Sequence, residues 1–244
     1  MSPRQAKSET TPRLIRRRRG VKADAAEITA TEIAPRTLSP ILSATSPPTA
    51  PRTSQIVVTD LSGTPPEKIS LAGLDPRTLI SPNFRAYELT KSELATRRGI
   101  ANGFTSDDHL RAAINLARQV LQPIRDKFGS FTPNSVYRSQ ALERALKNKP
   151  ATWQSTSQHA RGEACDIEIV GMATLALATW ARDHLSDFDQ IICECYDPRQ
   201  GPNSGWVHIS LKAPGQGANR RQCLSYVTDA SGRLVYVSGL QSTA

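Results

Sequence analysis

None of the 13 aromatic residues in this 244-residue chain lies before Phe84. Large aromatic and aliphatic side chains supply most of the apolar area that a folded core buries. Whatever folds must therefore be built from the later part of the chain. The first 56 residues show the opposite bias: ten Lys and Arg stand against four acids, and six of the nine net positive charges lie there. Arg16 to Arg19 form an unbroken run, and Pro, Ser, Thr and Ala fill much of the rest. A segment of this kind buries too little apolar surface to offset its chain entropy. Residues 1–68 are read as a disordered basic tail and 69–244 as one folded domain, long enough for a single core.

Several classes are excluded. No stretch approaches the roughly 18 apolar residues of a membrane span. Gly20-Val-Lys-Ala-Asp follows the arginine run and is no apolar core of a secretion signal. No export signal is expected, and disulfides among the four cysteines are expected to be absent. On a strand, Cys193 and Cys195 would share one face among apolar neighbours, which reads as buried free thiols rather than a metal site.

Between Leu79 and the end, the pattern is globular. Thr90 or Ser92 can cap a short helix. Ser106-Asp-Asp opens the clearest helix, with Leu110, Ile114, Ala117, Leu121, Ile124 and Phe128 on one face, and Pro123 predicts a kink or an earlier end. Ser135–Arg138 reads as a strand, 140–147 as a helix, 148–157 as a loop, 166–170 as a half-buried strand and 172–185 as a helix. Strands follow at 189–195 and 206–211, then a hairpin of 222–228 and 233–237. The class predicted is α+β, with helices packed on a mainly antiparallel sheet.

Three residues in the later half point to chemistry. His159 and Asp166 lie in Ser157-Gln-His-Ala-Arg-Gly-Glu-Ala-Cys-Asp166, and His208 lies in Gly205-Trp-Val-His-Ile-Ser210. Two imidazoles and a carboxylate suit catalytic zinc, which leaves a fourth position for water. A turn at Gly162 can bring His159 back toward Asp166. Strand alternation puts Trp206, His208 and Ser210 on one face and Val207, Ile209 and Leu211 on the other. By spacing alone, a His-x6-Asp pair also fits two ordinary solvated or core histidines.

The wording around these residues is more specific. Ser157-x-His-x-x-Gly-x-Ala-x-Asp166 with Trp206-x-His208 resembles the zinc D-alanyl-D-alanine carboxypeptidase family of phage and bacterial peptidoglycan peptidases. The resemblance extends to Val136-Tyr-Arg-Ser-Gln-Ala-Leu-Glu-Arg144, to Leu79–Thr90 and to Asp189-Gln-Ile-Ile-Cys-Glu194, covering about residues 79–212. It implies a zinc ion held by His159, Asp166 and His208, and peptidoglycan stem peptides as substrate. Arg138 corresponds to the arginine that pairs with the substrate carboxylate, a task suited to a planar fork of donors; a plain surface ion pair is its other reading. Ser157 either contacts substrate or shapes the loop. Trp206 either lines the groove or packs under the metal.

One departure stands out. Many members of that family carry a Glu three residues before the last His, serving as general base, and Gly205 stands there. Glu194 is the candidate replacement, with a solvent-facing or ligand-supporting carboxylate as its other reading. Glu163 and Glu168 are lesser candidates. The same gap supports an alternative, a catalytically inactive wall-binding or virion module of the same fold. The tail is read as a solvated linker or a wall or virion tether in preference to a nucleic-acid binder. An enzyme of this kind without an export signal would be cytoplasmic until released, or virion-associated, and act at the cell wall.

Overall fold

The structure, a computed structural model, describes residues 58–241. Most of the expected tail, residues 1–57, lies outside the described residues. Its last part does not behave as tail. Leu61 N–H donates to the Leu79 carbonyl at 2.8 Å. The Arg118 guanidinium donates to the carbonyls of Leu61, Thr64 and Ile80, each at 2.7 Å. The boundary predicted at residue 69 is therefore too late: residues 58–68 are fastened to the domain by a cation whose donors need three carbonyls.

A small hairpin, β1 (Leu79–Ser81) and β2 (Phe84–Arg85), leads into α1 (Glu93–Arg98). Ser92, not Thr90, caps α1, its Oγ accepting from Ala95 N–H. Then comes α2 (Asp107–Leu116), capped by Ser106, followed by one π-helical turn over 117–121 and α3 (Gln122–Phe128). The predicted apolar face is real: Leu110, Ile114, Ala117, Leu121 and Ile124 are fully buried. Pro123 neither ends the helix nor breaks it. Proline has no N–H to donate one turn back, and the wide turn before it, in which Gln122 N–H reaches the Ala117 carbonyl, absorbs the mismatch.

The rest runs α4 (Gln140–Lys147), β3 (Ala164–Ile167), α5 (Thr174–His184) and then the strands β4 (Gln190–Glu194), β5 (Trp206–Ser210), β6 (Gln222–Thr228) and β7 (Leu234–Ser238). The five-stranded sheet has the order β3-β5-β4-β6-β7, antiparallel except for the β4–β6 pair. This is the α+β class with a mainly antiparallel sheet. Two strand predictions need correction. Ser135–Arg138 is not a strand and makes only an isolated bridge from Ser135 to Asp166. The strand expected at 166–170 is β3, shifted toward the N-terminus; it is buried throughout, so alternation marked the wrong window.

The back of the sheet presents Cys165, Ile167, Ile191, Cys193, Val207 and Ile209 to one core shared with α2, the π turn, α3 and α5. Cys165 and Cys193 are buried free thiols, and burial pushes the Cys193 thiol up to about 12. Cys195 is also free, but it leaves the strand with φ 55° and is only half-buried, so it does not pair in facing with Cys193 as predicted. Among the described residues no helix is long and apolar enough to cross a membrane.

Candidate metal centre

The front of the sheet carries the polar residues. In the β3–β5 register Asp166 stands opposite His208, and in the β5–β4 register His208 opposes Ile192 and Trp206 opposes Glu194. Directly paired residues hold their Cβ atoms about 4.5–5.5 Å apart, so register alone brings Asp166 and His208 together. His159 reaches them from outside the sheet, on a 3-10 turn over Gln158–Arg161 that ends at Gly162 with φ 75°. Gly162 is required there. A Cβ would lie 2.4 Å from the His109 carbonyl oxygen of α2, against which the turn is pressed.

Three donor atoms converge. His159 Nε2 is 3.2 Å from Asp166 Oδ1 and 3.2 Å from His208 Nδ1, and His208 Nδ1 is 3.0 Å from Asp166 Oδ1. Ligand atoms around a tetrahedral zinc at about 2.0–2.1 Å lie roughly 3.3 Å from one another, so the triangle has the size such an ion needs. The donor chemistry fits as well. His159 Nδ1 lies 2.7 Å from the Val136 carbonyl and donates its proton there, which leaves Nε2 as a lone pair facing the carboxylate. Two acceptors at that distance call for a cation between them. A proton serves poorly, because burial lowers the His159 pKa, with the neighbouring Asp166 only partly opposing. For Asp166, burial alone would raise the carboxyl, but His159, His208 and Arg138 hold it well below the usual carboxylate range. A buried, ionised carboxylate and two imidazole lone pairs can hold a divalent metal.

Arg138 stands beside the triangle and lines the cleft. Its Nη2 binds Asp166 Oδ2, its Nε donates to Ser135 Oγ at 2.8 Å, and its Nη1 lies 3.5 Å from Glu143 Oε1. The guanidinium thus fixes which oxygen of Asp166 faces the histidines. Ser157 shapes the turn through its carbonyl, which accepts from Ala160 N–H at 3.0 Å, and it also lines the cleft. Trp206 lines the cleft with its indole N–H buried, directly across the strands from Glu194.

Glu194 lines the same cleft, on the front face opposite Cys193. Burial pushes its carboxyl up, with His208 opposing and Asp166 adding to the rise. Glu163 also borders the cleft, but its carboxylate is bound by Arg161 at 2.8 Å. Glu168 is exposed, accepts from Asn134, and lies outside the lining of this cleft. Gly205 has a structural cause: φ is 67°, and a Cβ would sit 2.1 Å from the Glu194 carbonyl oxygen. No side chain fits at that position in this backbone.

Three residues of the site escaped the sequence reading. Glu143, with a fully buried side chain, hydrogen-bonds Lys147 and Ser155 Oγ through Oε2, while its Oε1 faces Arg138 at 3.5 Å without a hydrogen bond. Its spacing of four from Lys147 on a helix is a faint signal. Asp189, also fully buried, accepts from Gln158 Nε2 beside the His159 turn and from Arg220. Tyr236 stacks on Tyr226 with ring centres 4.4 Å apart and lines the cleft; its own partial burial, and then the charge of Glu194, push its hydroxyl up. An exposed aromatic on an alternating strand carries no mark of which cleft it borders.

The family model described as Peptidase M15 matches residues 82–210, more than half of the chain. The matched segment contains the three metal-facing residues, Arg138, Ser157, Glu194 and Trp206, but not Lys212, Arg220 or Tyr236. No curated protein matches the chain.

Proposed function

The chain belongs to the peptidase M15 family, and from that premise we propose that it is a zinc-dependent peptidase that hydrolyses peptidoglycan stem peptides. The observation that carries this reading is the triangle of His159 Nε2, Asp166 Oδ1 and His208 Nδ1 with edges of 3.0–3.2 Å. Bound by these donors, zinc would lower the pKa of a water from 15.7 to about 7 and polarise the scissile carbonyl.

The protein's own groups do the rest. Val136 holds the His159 tautomer, and Arg138 holds Asp166 so that Oδ1 stays directed at the two rings. Glu194 accepts a proton at its carboxylate and returns it to the departing amine nitrogen. A carboxyl raised by burial suits both halves of that exchange. Ser157 and Trp206 border the peptide, and Arg138 offers it the N–H groups not already bound to protein. The inactive-module alternative rests on Gly205 standing at the family's usual base position; the enzyme reading is favoured because Glu194 lines the same cleft as the three candidate ligands.

The basic tail is assigned a tethering role outside catalysis, at the wall or in a virion, so removal of residues 1–57 should leave turnover of soluble muropeptides intact. Purified sacculi digested with the zinc-loaded protein, followed by mass spectrometry, test the reading. New amino and carboxyl termini within stem peptides are expected. Unchanged muropeptides from protein that holds one zinc would sink it.

A further inference from the structure

Strand register lays four side chains in one row across the front of the sheet. Trp206 in β5 stands opposite Glu194 in β4, Glu194 stands beside Tyr226 in β6, and Tyr226 opposes Tyr236 in β7. The next row on the same face, two residues along, holds Asp166, His208 and Ile192. Glu194 is thus a diagonal neighbour of His208, at roughly 7–8 Å, within reach of a long side chain.

A glutamate side chain is flexible, and a carboxylate that must meet one proton has to be kept in one of its rotamers. Its neighbours in the row are both aromatic. Tyr226 is itself stacked on Tyr236 and forms one flank. Trp206, on the other flank, brings more than a ring. Its indole Nε1 is buried, and no other acceptor among the described residues bonds it. A buried N–H left unsatisfied costs about 1–3 kcal/mol, and directly opposed residues hold their Cβ atoms about 4.5–5.5 Å apart. The acceptor that register brings to this N–H is the Glu194 carboxylate. The state of that carboxylate agrees: burial pushes it up, while His208 and the Trp206 N–H are among the groups that oppose the rise. An indole donates and does not accept. It can hold one carboxylate oxygen without competing for the proton that the other receives. Lining the cleft, by contrast, asks only for the ring, and a phenylalanine would serve.

We infer that Trp206 is a positioning residue: its indole N–H holds one oxygen of Glu194, which leaves the other directed toward the metal-facing residues to accept and return the proton. This rests on the peptidase reading above.

Trp206→Phe keeps a ring and removes the N–H. In the full-length, zinc-loaded protein it should lower kcat on a stem peptide about tenfold, with KM within about twofold. In a Glu194→Gln background, with residual turnover followed at enzyme excess, the same change should cost less than about twofold, because the pair acts as a unit. A groove wall or a packing residue would act with equal force in both backgrounds. A second readout needs no turnover. The chain has three indole N–H resonances, from Trp153, Trp180 and Trp206. Only that of Trp206 should move between the native protein and Glu194→Gln, with or without zinc. This comparison decides the matter even if Trp206→Phe does not fold. A raised KM at unchanged kcat, an equal loss in both backgrounds, or an unmoved Trp206 resonance would each overturn the inference and leave the peptidase reading standing. No turnover of stem peptides by the native, zinc-loaded protein would overturn the peptidase reading, and the positioning role with it.

Discussion

The five-stranded sheet has two unlike halves. β3, β5 and β4 are buried along nearly their whole length, whereas β7 alternates between half-buried and exposed positions and β6 is buried only at Ser225 and Val227. The first half carries Asp166, His208 and Glu194, and the family match ends at Ser210, the last residue of β5. The second half carries Tyr226 and Tyr236, of which Tyr236 lines the cleft. Donor atoms for a metal need positions held to a fraction of an ångström by packing from behind, and Cys165, Val207 and Ile209 provide that backing. A rim contact tolerates looser support. The candidate metal ligands and the tyrosine that lines the cleft thus stand on parts of one sheet with different burial, and each half can be challenged separately.

The largest effect belongs to the buried half. Glu194→Gln should lower kcat by about 10²–10⁴-fold while zinc stoichiometry, measured by metal analysis, stays at that of the native chain. Full turnover in that variant would move the proton-transfer role to another group.

Asp189 is the seam between the halves. It precedes β4 and ties Gln158, beside the His159 turn, to Arg220, before β6. Asp189→Asn leaves a half-exposed Arg220 without its charge partner and should cost about 1–2 kcal/mol in denaturant unfolding. Its pH dependence has a definite sign. Burial alone would raise the carboxyl, but Arg220 and Gln158 hold it below its ordinary value of 3.8. Folding therefore favours the ionised form, and this stabilisation is complete above that value and lost as pH falls through the lower folded value. The native chain should lose stability more steeply than Asp189→Asn in that acid window. Parallel acid limbs for the two proteins would remove Asp189 from this role.

Much of the metal centre was legible because it follows from period-two alternation. Once 206–211 is a strand, His208 and Trp206 share a face, and the motif around His159 names the third partner. The helix face from Leu110 to Ile124 was equally plain. Other parts were not legible for physical reasons. Nothing local marks β3 as starting at Ala164, because a strand buried on both faces lacks alternation. The pairing of Arg138 with Asp166, and the approach of Glu143 to 3.5 Å from it, depend on how α4 and β3 are brought together, and a buried carboxylate is invisible in a sequence until its partners are placed. The requirement for glycine at 205 comes from the Glu194 carbonyl of the neighbouring strand, a contact no spacing rule reports. The anchoring of residues 58–68 depends on Arg118, which lies some fifty positions further on.

Matched valine truncations measure the contrast in packing. Val207→Ala, at a position with no exposed surface behind the metal strand, should cost roughly 2 kcal/mol through lost burial and the cavity left behind. Val235→Ala in β7, half-buried at the edge of the sheet, should cost less than about 1 kcal/mol. Urea unfolding of both variants decides it. Equal costs would mean that the hairpin is packed as firmly as the centre and that the two halves are not mechanically distinct.

The smallest effect isolates what holds the hairpin's site face together. Tyr226 and Tyr236 oppose each other in register and stack at 4.4 Å, and cross-strand aromatic pairs contribute about 0.5–1 kcal/mol beyond their separate burial. A double-mutant cycle of Tyr226→Ala and Tyr236→Ala should return a coupling of that size in unfolding free energy, with zinc affinity unchanged in all three variants. The constancy of zinc affinity is the sharper part. The donors lie on β3, β5 and the His159 turn, and none of them leans on the tyrosine pair. If removing the pair weakened zinc binding as well as stability, the rim and the centre would be one mechanical unit, and the division of labour across the sheet would fail.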